Sequence, residues 1–228
     1  MAEAGSVSTK DLIVEVGPGE GTLTKILGAR GARIIAIEKD HRLIQTLEET
    51  MGNKKNISII EGDIMRLSPD AGPLAKLLPS STPYKIVANI PYYITGRFLK
   101  LFLESQHKPT SMTLMVQKEI AERIVTKDGK ESILSLSVKV FGSPSITKIV
   151  PRGAFSPPPK VDSAILHIAD ISGSWFLKHK IMPRDFFLLI KRAFGQKRKT
   201  LRASLGKNYH IPEQFSSRRP ETLSQEEW

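Results

Sequence analysis

The feature that most constrains the fold of this chain is an alternation of short apolar runs with longer amphipathic stretches over residues 12–125. Such alternation is typical of a parallel β-sheet with helices on both faces. The predicted strands are residues 12–16, 33–37, 57–60, 85–89 and 113–116, and the predicted helices are residues 22–29, 41–51, 74–78, 96–105 and 118–125. Residues 146–150 and 164–168 flank a proline-rich loop and predict an antiparallel hairpin that closes the sheet. The predicted fold class is therefore α/β.

A change of composition divides the chain near Gly173. After the Ser-Gly-Ser segment at residues 172–174 the sequence becomes basic, and Pro183 is expected to begin a helix there. The apolar face of that helix is predicted to consist of Phe186, Leu189, Ile190, Ala193 and Phe194. We predict a main α/β domain over residues 1–173 and a small basic helical domain over residues 174–228.

A glycine-rich loop follows the first predicted strand, where a doubly wound sheet binds a nucleotide-like ligand. Gly17, Gly19 and Gly21 leave room for a ligand to lie against the backbone. A dinucleotide fingerprint that starts at Gly17 needs a glycine at position 22, where Thr22 stands. Acidic residues beside the loop, Glu15 among them, suit a cationic amine better than a pyrophosphate. S-adenosylmethionine is a ligand of that kind.

Polar side chains mark the ends of the next three predicted strands. Glu38 follows the second strand, where a carboxylate can accept hydrogen bonds from both ribose hydroxyls. Asp63 follows the third strand and could accept a hydrogen bond from an adenine amino group, and Asn89 ends the fourth. A single strand-end carboxylate is usually only solvated. Because parallel strands bring their carboxyl ends to one edge of a sheet, the four strand ends together predict one crevice.

The segment Asn89-Ile90-Pro91-Tyr92-Tyr93, at the end of the fourth strand, carries the most specific functional indication. The N6 amine of adenine is a poor nucleophile because its lone pair is delocalised into the ring. Hydrogen bonds from that amine to the Asn89 side-chain oxygen and a neighbouring backbone carbonyl would favour the pyramidal transition state of methylation. Tyr92 could stack on the base and orient it. The plain alternative is a turn in which proline fixes φ.

The charge of the chain points to a polyanionic partner. The formal net charge is +11 and the pI is near 9.8. Residues 178–219 contain twelve Lys or Arg residues against two acidic ones, a net charge of +10, although a basic face can also be merely solvated. The chain has no cysteine, and its five histidines show no metal-ligand spacing, so no metal is expected. No leader or membrane-spanning run is apparent, and the expected compartment is the cytoplasm.

Taken together, these segments resemble the bacterial small-subunit (16S) ribosomal RNA adenine N6,N6-dimethyltransferases. The resemblance runs from about residue 4 to the C-terminus. The matching segments are residues 15–21, 38, 63, 89–93, 155–163, 194–201 and 219–223. The resemblance implies a Rossmann-like class I S-adenosylmethionine-dependent methyltransferase sheet with a small C-terminal α-helical domain. It also implies an enzyme without metal that methylates two adjacent adenines near the 3′ end of small-subunit rRNA. We expect a monomer that acts on a pre-ribosomal particle, although the sequence does not determine the oligomeric state.

The resemblance further implies roles for individual residues. Asn89 and the carbonyl of Pro91 would receive the target amine, while Tyr92 and Phe155 would sandwich the extruded base. An aromatic residue beside a proline-rich loop is, however, more often part of hydrophobic packing. The implied contacts to S-adenosyl-L-methionine come from Glu15, Gly17, Gly19, Gly21, Glu38, Lys39, Asp63, Ile64 and Asn89. The implied RNA phosphate contacts come from Lys197, Arg198, Lys199 and Arg202.

The beginning of the chain departs from the family pattern. Family members begin with several dozen more residues, including a Gln-Asn-Phe-Leu segment that closes over the methionine end of the cofactor. A misplaced start, a truncated gene or a version that works without this segment would each explain the difference, and we expect poor methyl transfer by the chain as given. Two other functions stay open: a large-subunit rRNA adenine N6-methyltransferase of the macrolide-resistance type, and a non-catalytic rRNA-binding assembly factor.

Overall fold

A seven-stranded sheet forms the centre of the computed structural model, which describes residues 1–79, 82–127, 129–196, 198–206 and 209–228. The strands are β1 (Leu12–Val16), β2 (Arg33–Glu38), β3 (Ile57–Glu61), β4 (Lys85–Asn89), β5 (Ser111–Gln117), β6 (Ser143–Val150) and β7 (Ser163–Ala169). Their order is β3-β2-β1-β4-β5-β7-β6. Strands β1 to β5 run parallel, and β7 lies antiparallel between β5 and β6. The predicted strands and the closing antiparallel hairpin are confirmed.

The described residues also form ten α-helices. They are α1 (Thr22–Ala29), α2 (His41–Met51), α3 (Gly72–Leu77), α4 (Thr95–Leu103), α5 (Lys118–Ile124), α6 (Ile133–Lys139), α7 (Ser174–His179), α8 (Pro183–Phe194), α9 (Leu201–Leu205) and α10 (Glu213–Ser216). The four helices predicted between the parallel strands and the one predicted after β5 are confirmed with ends within two residues. In α2, for example, the Asp40 carboxylate caps the first turn, and Ile44, Leu47 and Met51 form the buried stripe.

Strand β1 is buried along its whole length because helices cover both faces of the sheet. Leu12, Val14 and Val16 point to one face and belong to the larger apolar cluster, which extends through β4, β5 and β7. Ile13 points to the other face and packs in a second cluster with residues of α1 and α2. Glu15 lies on that second face and is 1% exposed, so a carboxyl group is buried in a central strand.

Helix α6 was not predicted because its sequence, Ile-Leu-Ser-Leu-Ser-Val-Lys, alternates apolar and polar residues in the manner of a strand. A reciprocal capping box decides the local structure instead. The Ser132 hydroxyl accepts a hydrogen bond from the Ser135 N–H at 3.1 Å, and the Ser135 hydroxyl accepts one from the Ser132 N–H at 2.7 Å. Leu136 and Val138 are then buried in the larger apolar cluster.

Helix α8 begins at Pro183 as predicted and buries four of the five predicted apolar residues; Leu189 is only partly buried. Phe187 is an additional buried residue, because α6 and α7 cover the side of the helix adjacent to the predicted face. Its ring lies 6.2 Å from that of Phe141 and 6.3 Å from that of Phe176. The apolar core therefore runs across the boundary predicted near Gly173, and the division into domains at that point stays a prediction.

Candidate active site

The carboxyl ends of four parallel strands meet at one edge of the sheet. In the register, Val16 of β1 lies beside Ile37 of β2, Glu38 beside Glu61 of β3, and Asn89 of β4 beside Met115 of β5. The strand order reverses between β1 and β4, which is where open α/β sheets bind their ligands. The strand ends that the sequence predicts to converge do lie together.

The glycine-rich loop adopts backbone angles that favour glycine. Gly17, Gly19 and Gly21 have φ values of +67°, +58° and +81°. The backbone angle of Gly21 favours glycine, and a Cβ there would lie 1.9 Å from Cε of Met51, so the Met51 side chain would also have to move. The Gly17 N–H donates to the Ile37 carbonyl at 3.0 Å and holds the loop against the end of β2.

Glu38 is buried at the end of β2 and is held by backbone N–H groups. Its Oε1 accepts hydrogen bonds from the N–H groups of Lys39 at 2.7 Å and Asp40 at 3.0 Å, and its Oε2 accepts from Gly19 at 3.1 Å. These bonds fix the carboxylate between the glycine-rich loop and the β2–α2 turn. Each oxygen can accept about two hydrogen bonds, so Oε2 keeps capacity for a ligand hydroxyl.

Asp63 lies at the end of β3 and begins a short 3-10 helix, Ile64–Arg66. Its Oδ1 accepts from the Met65 N–H at 3.0 Å, and its Oδ2 pairs with Nζ of Lys39 at 3.0 Å. The hydrogen bond from Lys39 lowers the pKa of the Asp63 carboxyl below its usual value, which keeps this side chain an acceptor. Ile64 is buried and lines the same cleft.

Glu15 differs from the other predicted cofactor-binding acids because its carboxyl group is almost completely buried. Burial raises the pKa of its carboxyl to about 7. Its Oε2 has no hydrogen-bond partner among the described residues, and its side chain lines a cleft beside the glycine-rich loop. A buried carboxyl oxygen without a partner is costly unless a ligand supplies a donor or a cation. This orphaned oxygen fits the cationic amine of S-adenosylmethionine.

The Asn89 side chain is exposed at the end of β4 and makes no hydrogen bond to any described residue. The Pro91 carbonyl accepts a hydrogen bond from the Ile94 N–H at 3.1 Å and retains one lone pair. Two acceptors are therefore available within three residues of the β4 end, as expected from the sequence.

The two aromatic residues expected to hold a base are differently anchored. The Tyr92 hydroxyl is hydrogen-bonded at 2.6 Å to that of Ser163, a fully buried residue at the start of β7, and the Tyr92 carbonyl accepts from the Thr95 hydroxyl at 2.9 Å. Phe155 is half-buried in the loop that leads to β7. That loop is closed by a hydrogen bond from the Arg152 N–H to the Asp162 carboxylate at 3.0 Å.

Most of the predicted site residues line two clefts that share Gly17, whereas Gly21, Tyr92 and Phe155 line neither of them. The Glu38 cleft, of about 390 Å³, is lined by Glu38, Lys39, Asp63, Ile64 and Pro91 together with Arg66, Tyr93 and Arg97. The Glu15 cleft, of about 720 Å³, is lined by Glu15, Gly19 and Asn89 together with Met1, Arg30, Met115 and Ser156. Both volumes are typical of small-molecule sites. Tyr93 belongs to the segment at the end of β4 that the sequence singles out, whereas Arg66, Arg97 and Met115 were not expected, because each joins the site only through the packing of separate elements.

The described residues among the predicted RNA contacts line neither of these clefts. Arg198 and Lys199 are exposed between α8 and α9, and Arg202 is exposed on α9. Lys197 lies outside the described residues. No ion pair among the described residues involves these three side chains. No cluster of three or more His, Cys, Asp or Glu side chains in the described part of the chain is arranged to hold a metal ion. None of the helices built from described residues is long and apolar enough to span a membrane.

A parallel sheet in this order, with a glycine-rich loop after β1, acidic residues at the ends of β2 and β3, and an antiparallel closing strand, defines a class I S-adenosylmethionine-dependent methyltransferase. A solved dimethyladenosine transferase from Plasmodium falciparum has the same fold, with a TM-score of 0.81 and 25% identity over 99% of this chain and 90% of that one. The fold is also that of the 23S rRNA methyltransferase ErmE, with a TM-score of 0.76 and 24% identity over 100% of this chain and 91% of that one.

Sequence comparisons specify the family. The profile of the ribosomal RNA adenine dimethylase family matches residues 2–221. A ribosomal RNA small subunit methyltransferase A from Dehalococcoides mccartyi (strain CBDB1) is 42% identical over 99% of this chain and 79% of the relative. A protein of the same name from Clostridioides difficile (strain 630) is 37% identical over 97% of this chain and 80% of the relative. The chain belongs to the ribosomal RNA adenine dimethylase family. Membership confirms the predicted enzyme class and S-adenosyl-L-methionine as the methyl donor.

Proposed function

We propose that this protein transfers methyl groups from S-adenosyl-L-methionine to N6 of adenines in small-subunit rRNA, at two adjacent adenines near the 3′ end. The observation that carries the proposal is the Asn89 side chain, an exposed amide at the end of β4 that lines the Glu15 cleft and has no described hydrogen-bond partner. The choice of the small subunit is supported by relatives that are named for it and are 41–42% identical over 99% of this chain.

Asn89 and Pro91 are proposed to activate the target amine. When bound, S-adenosyl-L-methionine supplies an electrophilic methyl group on a sulfonium. The Asn89 side-chain oxygen and the remaining lone pair of the Pro91 carbonyl accept the two N6–H groups, which draws the N6 lone pair out of conjugation with the ring. Asn89 and Pro91 would thereby hold N6 with its lone pair free to take up the methyl group that the bound cofactor would supply. One N6 proton passes to water, so this chain needs no general base.

Tyr92 and Phe155 are proposed to hold the extruded adenine between their rings. Base-modifying enzymes take the target out of the stack, and stacking on aromatic side chains recovers about 1–3 kcal/mol per base. The anchoring of Tyr92 to Ser163 and Thr95 supports this role, because a fixed ring loses little freedom when the base arrives. The half-buried state of Phe155 leaves part of its ring accessible.

The basic segment is proposed to dock the ribosomal particle. Exposed Arg198, Lys199 and Arg202, together with Lys197, would contact rRNA phosphates and position the enzyme without reading sequence. We further propose that residues 174–228 form the RNA-binding domain, and that the enzyme acts as a monomer on a pre-ribosomal particle in the cytoplasm.

The proposal is tested with ribosomal subunits isolated from cells that lack this methylation. Purified protein in excess over subunits is incubated with radiolabelled S-adenosyl-L-methionine, and the modified positions are mapped by the block that dimethyladenine imposes on reverse transcription. We expect label in small subunits and a block at two adjacent adenines near the 3′ end.

Two comparisons make the assay decisive. Large subunits are treated in parallel, and Asn89→Ala is the inactive control, since it removes an acceptor of the target amine while sitting at an exposed position. Label confined to large subunits would support the macrolide-resistance type of enzyme. Calorimetric binding of the cofactor without methylation of either subunit would favour the non-catalytic assembly factor.

A further inference from the structure

Tyr93 is the most exposed large hydrophobic side chain of the described residues, at 86% of its full accessibility. It lies on the wall of the Glu38 cleft, directly after the anchored Tyr92. It makes no hydrogen bond and no ring contact to any described residue. Because the Tyr93 ring stays in water, it adds no hydrophobic stabilisation to the fold. Packing within this chain therefore does not account for a tyrosine at this position.

Two arginines lie on the same wall. Arg66 ends the short 3-10 helix after Asp63, and Arg97 lies in the first turn of α4. Both are exposed, and neither forms an ion pair with a described residue. The carboxylate of Asp63, the acid in this cleft nearest in sequence to Arg66, is already paired with Lys39.

The position of Arg97 is electrostatically unfavourable in the protein alone. The first turn of a helix carries partial positive charge from its unpaired N–H groups, and a cation there is disfavoured unless an anion lies nearby. Arg97 therefore adds to a positive potential at the cleft mouth rather than stabilising α4. A planar aromatic face with two guanidinium groups beside it is the combination that single-stranded nucleic acid recognises, through base stacking and phosphate contacts.

We propose that Tyr93, Arg97 and Arg66 bind the substrate RNA strand next to the target adenine. A neighbouring unstacked base lies on the Tyr93 ring, and the arginines contact the phosphates on either side of it. The inference rests on the proposed function and extends it by naming the surface that holds the adjacent nucleotide. The nucleoside part of S-adenosyl-L-methionine carries no phosphate, so the two guanidinium groups match the RNA backbone and not the cofactor.

The test uses a short fluorescein-labelled single-stranded RNA with two adjacent adenines, and follows binding by anisotropy over a range of salt concentrations. Tyr93→Ala should weaken binding by roughly 5- to 100-fold, whereas Tyr93→Phe, which keeps the ring, should stay within about twofold of the wild type. Arg97→Ala and Arg66→Ala should each reduce the slope of log K against log salt by about 0.7.

Lys100→Ala is the matched control. Lys100 lies on the same helix as Arg97 and is exposed, but it pairs with Glu104 at 3.8 Å and lines a different groove, against α8. We expect it to change RNA affinity by less than about twofold. Calorimetric affinity for S-adenosyl-L-methionine should be unchanged in all five variants.

Three results would overturn the inference. Tyr93→Ala could leave RNA affinity intact, Lys100→Ala could weaken binding as much as Arg97→Ala, or the variants could lose affinity for S-adenosyl-L-methionine instead of RNA. The third result would assign these residues to the cofactor wall. If the wild type neither binds this RNA nor methylates small subunits, both the proposed function and this inference are wrong. If the wild type does both, the proposed function holds, and the variants decide whether Tyr93, Arg97 and Arg66 bind the RNA.

Discussion

Replacing Glu15 with Gln should stabilise the protein at alkaline pH and leave it almost unchanged at acid pH. The pKa of the buried carboxyl is raised by burial from its ordinary value of 4.5 to about 7. The folded state therefore holds more protons than the unfolded chain between these two pH values, and stability falls as the pH rises through that window. Glutamine has nearly the same shape and is neutral at every pH, so the variant escapes this loss.

The magnitude follows from the two pKa values. At pH 8.5 the ionised Glu15 costs the folded state about 3 kcal/mol relative to a group whose pKa is the same in both states. At pH 5 the corresponding cost is about 1 kcal/mol or less, because most of the folded protein then carries a protonated carboxyl. Glu15→Gln should recover most of this difference, less the cost of burying an amide without partners.

The assay is urea unfolding of both proteins at pH 5 and pH 8.5, with the difference between variant and wild type taken at each pH. Glu20→Gln is the matched control, since Glu20 lies in the same loop and is exposed. Equal stability of Glu15→Gln and wild type at pH 8.5, or a variant that keeps the pH dependence of the wild type, would refute the reasoning.

The negative charge of Glu15, which destabilises the free protein, should strengthen its binding of the cofactor. An ionised Glu15 can pair with the cationic amine of S-adenosyl-L-methionine, so binding should draw a proton off the carboxyl. Wild-type affinity, measured by calorimetry, should rise as the pH rises towards about 7. Glu15→Gln should bind more weakly and lose this dependence, which would make Glu15 a residue that stabilises the complex at the expense of the unliganded fold.

Three further outcomes are expected. Ser163→Ala removes the hydrogen bond that anchors Tyr92 and should slow methylation of small subunits by roughly fivefold, as expected for the loss of a neutral hydrogen bond. The same substitution should have no further effect in a Tyr92→Phe protein, and additive effects of the two substitutions would contradict a role of Ser163 through the Tyr92 ring. Gly21→Ala should lower the free energy of unfolding by at least about 1–2 kcal/mol in urea denaturation, because its φ is +81° and a Cβ would meet Met51; an unchanged midpoint would contradict the strain. Arg202→Ala should weaken binding to small subunits and reduce its salt dependence by about one charge, and an unchanged salt slope would argue against a phosphate contact.

The positions of the sheet strands and of most of the helices between them could be predicted from the sequence because they depend on local patterns. Strand β1 is a continuous apolar run, and α2 has a cap at Asp40 followed by a periodic stripe. Where the local pattern was ambiguous the prediction failed. Helix α6 alternates like a strand, and the Ser132–Ser135 capping box with burial of Leu136 decides its structure.

The strand-end residues could be predicted as a group because parallel strands fix where carboxyl ends lie. Glu38, Asp63 and Asn89 line the paired clefts for this reason. Their individual environments were not predictable. The three backbone N–H groups that hold Glu38, and the Lys39 ammonium that lowers the pKa of Asp63, depend on how loops close over the sheet.

The sequence by itself determined the alternation of strands and helices, the glycine-rich loop, the acceptors at the end of β4 and the basic C-terminal segment, since each of these is written in consecutive residues. Only the tertiary structure decided that Glu15 is buried without a partner, that Ser163 anchors Tyr92 across 71 residues, and that Arg66 and Tyr93 lie on one wall. These properties arise from desolvation and from contacts between elements distant in sequence. No local pattern encodes either of them.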